Sequence, residues 1–589
     1  MSETPAANNN VGSLPELTAS KSWSTSSIDK TLETEKVAVT EVNSEEDVNI
    51  GVIENTEDVA IQIISTYDDP TLPSITFHSI FLGVGLSAFS SVTTIYTFKP
   101  QNASVSQLFC LIIAYVLGTA MHSVIPSHGV WRYLNPGPFN LKEHTVITIM
   151  SGTRIIAALD LFYDLRLNAA VAIFQIFATQ MVGYGIAGLR DTFYPNYISG
   201  VNLLQSLDWR GTLNAKKRRF FWIVFAAIFW EWIPQYPMPI LTAISVICLA
   251  DNDRHEFVRN LFGAGSSNEG IGLLSVSTSW TLITQGTPLV WPLQYLGMWL
   301  RGYIVLTTCY YSSVFNGRDL PFMSTSLLSE TGDTHNQSEV ITTVGLPRYS
   351  TKYAISQLCY NLSLGAAVTY LFLWHWPELR SAFGGLRFLK RGHAEVDDPH
   401  YKAEVPQWVY ALLFFVSIGV VIGCSYAGPH GKVLMPAWYI IFFTVFSSII
   451  SVSLGFNLKL GQYTKLPPRI TFGTQMAGSI ASIAMGALGK ELFAFGKPDW
   501  LIPFAMFMKY LNLPIILLYI GWLPYSQWTS CMIIGVYSQW WLRTRRPKWF
   551  AKYNYILCAA LDGGSQVILF ILSFAVFGAS GKAIMFPSW

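Results

Sequence analysis

Long apolar runs recur from one end of the chain to the other, and no other feature restricts its folding so tightly. They lie near 75–97, 105–126, 145–162, 169–189, 220–250, 289–311, 353–375, 408–427, 435–456, 469–489, 500–522, 527–542 and 555–577, with a shorter one near 270–284. A run of about 20 residues, rising ~1.5 Å per residue, spans the ~30 Å hydrocarbon core as a helix. In lipid every backbone N–H and C=O must be bonded within the protein, which leaves helices and closed barrels. The strand-length alternation of a membrane barrel is absent. Composition agrees: 51% of residues are hydrophobic and only 13% are charged, against about 25% charged in a soluble protein. The runs therefore predict an all-α polytopic membrane protein with roughly 12–15 segments. Run 220–250 is too long for one crossing and contains Pro234, Pro237 and Pro239. It is read as two crossings or as one helix plus a re-entrant piece.

Charge divides the chain. Residues 1–70 hold 14 Asp/Glu and 3 Lys/Arg, a net −11, so the remainder carries +13. This Ser-, Thr-, Asn- and Glu-rich tail is expected to be disordered and cytosolic, with residues 71–589 forming the membrane domain. No basic stretch followed by an apolar run marks a cleaved signal peptide. Lys216-Lys217-Arg218-Arg219, residues 380–402 and residues 543–552 are basic and read as cytosolic. The polar loop 316–351 carries the sequon Asn336-Gln337-Ser338 and suits the outside. Five apolar runs separate the last two cytosolic loops, where an even number is required. One of them, such as 469–489, is re-entrant, or a crossing is missing. The seven cysteines all lie in or beside apolar runs without a CxxC pair, so neither a disulfide framework nor a metal site is expected.

Where the runs are interrupted, chemistry is possible. Asn135-Pro136-Gly137-Pro138-Phe139-Asn140-Leu141-Lys142-Glu143-His144 separates two of them. Two prolines and a glycine forbid a continuous helix. Three titratable groups then open the next run, and such groups are tolerated only where protein or a water path surrounds them. Glu231 lies deep in an apolar run and must face inward. It suits a proton-coupling acid, or equally a structural pin between helices. Residues 263–272 (GAGSSNEGIG) form a glycine-rich break in which Glu269 is placed to meet a substrate ammonium or a proton, or else to cap a plain loop. Asp562-Gly563-Gly564 interrupts the last run and suggests close helix packing with a polar contact, more than transport. Lys465-Leu466-Pro467-Pro468-Arg469 makes a rigid start to another helix. No loop is long enough for a soluble catalytic domain, and no HExxH or GxSxG stretch is present, so an enzyme is not expected.

The pairing of NPGPFNLKEH at 135–144 with KLPPR at 465–469 resembles the two signature motifs of the oligopeptide transporter family. Supporting stretches include Asp68-Asp69-Pro70, Glu231 through Tyr236 (EWIPQY), Asn268-Glu269-Gly270, Asp398-Pro399-His400-Tyr401 and Asp562-Gly563-Gly564, so the resemblance spans 67–589. It is nearest to the peptide-transporting branch of fungi and plants. The resemblance implies about sixteen spans, a plasma-membrane location, no cofactor, and proton-coupled import of peptides of three to five residues or of glutathione. With the runs counted above, the expected bundle has roughly 12–16 helices with broken or re-entrant segments. The substrate and proton pathway expected on this basis involves Glu231, Gln235, Tyr236, Asn268, Glu269 and Asp562. Lys142, His144 and Arg469 are expected to gate or to pair with a substrate carboxylate, within signature residues Asn135 to His144 and Lys465, Pro467 and Pro468. A small peptide and the lipid bilayer are the expected partners; nucleic acid is not. Two departures stand out. Arg154 and Asp160 follow the first motif, where the family carries small apolar residues. Ser453-Leu454-Gly455-Phe456-Asn457 runs almost directly into Leu458, so the chain looks shortened there. A metal-chelate transporter of the same superfamily and an inactive, shortened membrane protein are the competing readings.

Overall fold

The computed structural model describes residues 72–98, 105–152, 174, 178, 196–208, 212–251, 254–263, 270–283, 289–290, 293–313, 350–374, 407–427, 436–442, 527–578 and 583–584. Apart from Thr212 and Leu213, all of them belong to one compact unit. Most apolar runs that fall within these residues become helices close to the expected limits. They are α1 (Phe77–Phe98), α2 (Gln107–Val124), α3 (Leu141–Gly152), α4 (Asn196–Asp208), α5 (Thr212–Ala227), α6 (Leu293–Tyr311), α7 (Thr351–Trp374), α8 (Gln407–Tyr426), α9 (Gln527–Val536) and α10 (Tyr555–Ala575). Among the described residues the only strand-like pairings are two isolated bridges, Ile244–Val276 and Phe577–Ala583. Six helices have 18 to 24 residues, or about 27–36 Å, the length a bilayer demands. By length and apolarity together, two stretches among the described residues qualify as membrane spans, Gln107–Val124 and Pro547–Ala575. Runs 469–489 and 500–522 lie outside the described residues, and 145–162, 169–189 and 435–456 lie mostly outside.

Helices α1 and α8 turn large apolar side chains outward and small hydroxylated residues inward. On α1, Ser79, Ser87, Ser90, Ser91 and Thr93 are buried, while Ile80 and Phe81 are 51% and 58% exposed. On α8, Ser417 is buried while Leu412, Phe415 and Val416 are exposed. Large apolar side chains turned outward in this way suit lipid rather than water. Small hydroxylated residues inward let helices approach closely, and their hydroxyls bond within the helix, as Ser91 Oγ does to the Ser87 carbonyl at 3.0 Å.

Helix α3 is the axis of this arrangement. Every residue from Leu141 to Ser151 is buried, as expected of a helix with neighbours all round. It packs on α1 and α2, and α10 lies against α4, α2 and the turn at 228–231. The α10 contact needs its glycines. A Cβ at Gly563 would run into Ile112 of α2, and one at Gly564 into Ile228. The Asp562-Gly563-Gly564 interruption is thus a close helix crossing.

The overlong run 220–250 breaks where its prolines predict. After α5 the chain forms a 3-10 turn at Ile228–Glu231, one helical turn at Trp232–Gln235 and a second 3-10 turn at Pro239–Thr242, before the short helix Val246–Asp251. Each proline removes a backbone donor, so no continuous helix can form.

Candidate functional site

The decapeptide folds into a clamp joining the end of α2 to the start of α3. Asn135 Nδ2 donates to the carbonyls of His122 at 3.1 Å and Ile125 at 2.6 Å. With the amide nitrogen so used, Asn135 Oδ1 accepts from His122 Nδ1 at 3.1 Å. These bonds satisfy carbonyls left open at the α2 terminus. Pro136 and Pro138 are exposed and Gly137 is half-buried, and together they turn the chain. Phe139 fills the space a side chain at position 118 would take, since a Cβ on Gly118 would meet its ring. Asn140 caps α3: its Oδ1 accepts from the amides of Lys142 at 2.9 Å and Glu143 at 3.1 Å. Its Nδ2 reaches back to the Pro73 carbonyl at 3.2 Å, tying the approach to α1 to the start of α3.

The three titratable residues of the motif are all buried: Lys142 by 95%, since it is 5% exposed, Glu143 at 1% exposed and His144 at 0%. His144 is fully committed. Its Nδ1 lies 2.7 Å from Asp208 Oδ2 on α4, and its Nε2 lies 2.8 Å from the Leu111 carbonyl on α2. A carbonyl only accepts, so Nε2 carries a proton. The bond to Asp208 then holds one shared proton, as imidazolium with carboxylate or as imidazole with carboxylic acid. Either way the pair is neutral overall, which is what burial of both groups requires. Phe139 and Tyr115 flank the imidazole at 5.4 and 6.0 Å between ring centres. Glu143 faces α1, where His78 Nδ1 stands 3.9 Å from its Oε2.

Glu231 is committed too, but by neutral donors. Its Oε1 accepts from Gln235 Nε2 at 2.7 Å and Ser279 Oγ at 2.6 Å, and its Oε2 accepts from the Trp280 amide at 2.7 Å. Gln235 also donates to Ser279 Oγ at 3.0 Å. Glu231 and Gln235 therefore fasten the broken helix to the segment at 277–281, the geometry of a pin. Tyr236 packs, partly buried, against the main apolar core. Asn268 and Glu269 lie outside the described residues. Just beyond them, Gly270 packs so closely on Arg259 and Asn260 that a Cβ would meet their carbonyls, and Ile271 N–H bonds the Asn260 carbonyl at 2.9 Å. Asp562 is buried in α10. Lys465, Pro467, Pro468, Arg469 and the Asn336 sequon lie outside the described residues. Among the described residues no three His, Cys, Asp or Glu side chains gather as a metal site.

The structure thus brings Asn135, Phe139, Asn140, Glu143 and His144, with His78 and Asp208, into one largely buried cluster, and Glu231 with Gln235 into another. Two members of the first cluster escape a reading of motifs. His78 is one titratable group in the apolar run 75–97, and Asp208 ends a helix that no apolar run marks. Ser199, Asn202, Gln205 and Ser206 make α4 too polar to register as a span, yet all four are buried. A lone histidine and a lone carboxylate in such surroundings are the only local signals.

The sequence profile described as OPT oligopeptide transporter protein matches residues 74–456 and 500–576. The break falls where the chain looks shortened, and it leaves the KLPPR stretch outside the match. Oligopeptide transporter 1 of Arabidopsis thaliana is 25% identical, with 89% of this chain and 90% of its own length covered. That alignment runs over 696 positions against 589 residues here, so the relative carries stretches this chain lacks. The Sexual differentiation process protein isp4 of Schizosaccharomyces pombe is 24% identical, over 89% of this chain and 85% of its own. Oligopeptide transporter phomP2 of Diaporthe leptostromiformis is 26% identical over 67% of this chain and 52% of its own. No solved structure matches.

Proposed function

Since this chain belongs to the oligopeptide transporter family, we propose that it is a secondary active transporter that imports small peptides together with protons. The observation that carries the reading is the family match running through the helices that bury the motif. Relatives named as oligopeptide transporters supply the substrate class. Peptides of about three to five residues, glutathione included, fit a cavity formed where helices break near the midplane. The plasma membrane is the proposed location, with the acidic N-terminus in the cytosol and the decapeptide acting as a gate-forming segment on that side. Support for ion coupling comes from titratable pairs held inside an apolar bundle, where they are costly unless functional.

In this reading the Glu231–Gln235 pin holds the broken helix at a fixed angle. Glu269 and Asn268, at the glycine-rich break, meet the ammonium end of the peptide, and Lys142 and Arg469 favour its carboxylate end. The test is uptake of radiolabelled di- to pentapeptides by cells lacking their own peptide transport. Accumulation that collapses with a protonophore is expected. Accumulation indifferent to the proton gradient would remove proton coupling, and none with any peptide would remove the substrate class.

A further inference from the structure

Helices α1 and α3 bring together two buried titratable side chains, each with hydrogen-bonding capacity left open among the described residues. The side chains of His78 and Glu143 are 0% and 2% exposed. Among the described residues neither ring nitrogen of His78 has a hydrogen-bond partner, and neither does Glu143 Oε2. At 3.9 Å the pair is beyond hydrogen-bond reach and within ion-pair range. Buried polar atoms are nearly always bonded, so an imidazole with two free nitrogens beside a carboxylate with a free oxygen calls for an explanation. The geometry is held from both sides. Thr76 and Ser79 cap the start of α1 reciprocally, with Thr76 N–H to Ser79 Oγ at 2.8 Å and Ser79 N–H to Thr76 Oγ1 at 3.2 Å. Asn140 caps α3 and bonds the Pro73 carbonyl, so the two helix starts are fixed together.

The surroundings single out this pair. On α3, buried Lys142 and His144 flank Glu143. From α2 come Tyr115, beside His144, and His122, bonded to Asn135. From α4 comes Asp208, bonded to His144, and from α5 Arg218, bonded to the Leu207 carbonyl at 3.0 Å. The Nδ1 proton of His144 shifts only within its bond to Asp208, and the Nε2 proton cannot leave without breaking the bond to the Leu111 carbonyl. His78 has lone-pair capacity open, and among the described residues Glu143 is the carboxylate within ion-pair reach of it.

We infer that His78 and Glu143 form the site that carries the coupling proton, a step that rests on the proton-coupled reading above. A proton from the acidic side binds an imidazole nitrogen of His78. The imidazolium then closes on the Glu143 carboxylate and draws α1 against α3, and the proton departs to the other side when the pair parts. Only an N–H bond forms and breaks, so no co-reactant is required.

The test uses the full chain in liposomes with radiolabelled tetraalanine and radiolabelled glutathione as probes. Two quantities are read: accumulation driven by an inward proton gradient, and counterflow exchange of the same probe without a gradient. In His78→Gln and Glu143→Gln, gradient-driven accumulation should fall about tenfold or more, and in His78→Gln, which lies outside the motif, counterflow should stay within about twofold of wild type. His78→Arg, with a fixed charge, should behave as His78→Gln does. Variants that keep wild-type gradient dependence would overturn this inference and leave the transporter reading standing. Loss of counterflow in all three would mean that the pair builds the helix contact, and would overturn it as well. A wild-type chain that accumulates neither probe under the gradient would overturn the proton-coupled reading itself, and this inference with it.

Discussion

Glu231 and Glu143 are both buried carboxylates beside a break in a helix, and they are held in opposite ways. Every acceptor position that matters on Glu231 is filled by a neutral donor from Gln235, Ser279 or the Trp280 amide. Glu143 has an oxygen with no hydrogen-bond partner and faces a histidine in the same condition. A carboxylate satisfied by several donors is stabilised in place and resists change. One facing an uncommitted base has no donors holding it in place, which is what the proposed proton site requires. Burial alone therefore does not separate the two carboxylates; their hydrogen bonds do.

The widest separation between the two should appear on truncation. Glu231→Ala removes three hydrogen bonds and leaves the Trp280 amide without its acceptor, while Gln235 and Ser279 keep the bond between them, and the loss should cost about 3–5 kcal/mol. Thermal unfolding of the detergent-purified chain would register this as a large drop in midpoint, or as loss of folded protein. Glu231→Gln keeps an acceptor but turns an amide N–H2 toward donors, and should cost less.

His144→Ala tests the other committed group. It strands Asp208 and the Leu111 carbonyl in the interior, at about 3 kcal/mol or more. The double variant with Asp208→Asn should recover part of that loss, because the stranded charge is gone. Failure of Asp208→Asn to relieve His144→Ala would break the assignment of the pair.

Gly118→Val is next in size. The new side chain must displace Phe139 from its seat on α2 and so from the His144 imidazole, at about 1–3 kcal/mol. The same unfolding assay reads it, and Gly118→Ala should fall between valine and wild type. Glu143→Gln should scarcely move stability, by less than about 1 kcal/mol, since few hydrogen bonds depend on its free oxygen. A loss as large as that of Glu231→Ala would erase the contrast between the two carboxylates.

The smallest effect lies outside the apolar runs. Burial, with the nearby Lys552 ammonium, pulls Lys217 down to about 8. Between that value and the ordinary lysine range the unfolded chain holds more protons than the folded one. Packing around Lys217 should therefore tighten as pH rises through that window and be weakest below it. Amine-selective labelling of Lys217 as a function of pH should show a midpoint near 8, moving upward in Lys552→Ala.

Much of this was legible from residue order. The apolar runs became α1, α2, α6, α7, α8 and α10 nearly at their expected ends, because length and apolarity are local properties that the bilayer reads directly. The break after Ala227 followed from prolines. For Glu231 the residues left two readings open, acid or pin, and only its donors, on a segment 48 residues away, speak to the choice.

Residue order alone carries the class of protein, most of the helices among the described residues, the family motif and the presence of titratable groups where lipid would not tolerate them. These depend on the polarity and backbone freedom of neighbouring residues. The tertiary structure alone decided who meets whom. His144 finds Asp208 64 residues away, on a helix too polar to stand out, and Glu143 finds His78 on the buried side of α1. Electrostatic and hydrogen-bond partnership is a matter of ångströms in three dimensions. The interior enforces it because a buried charge without a partner is too costly to keep.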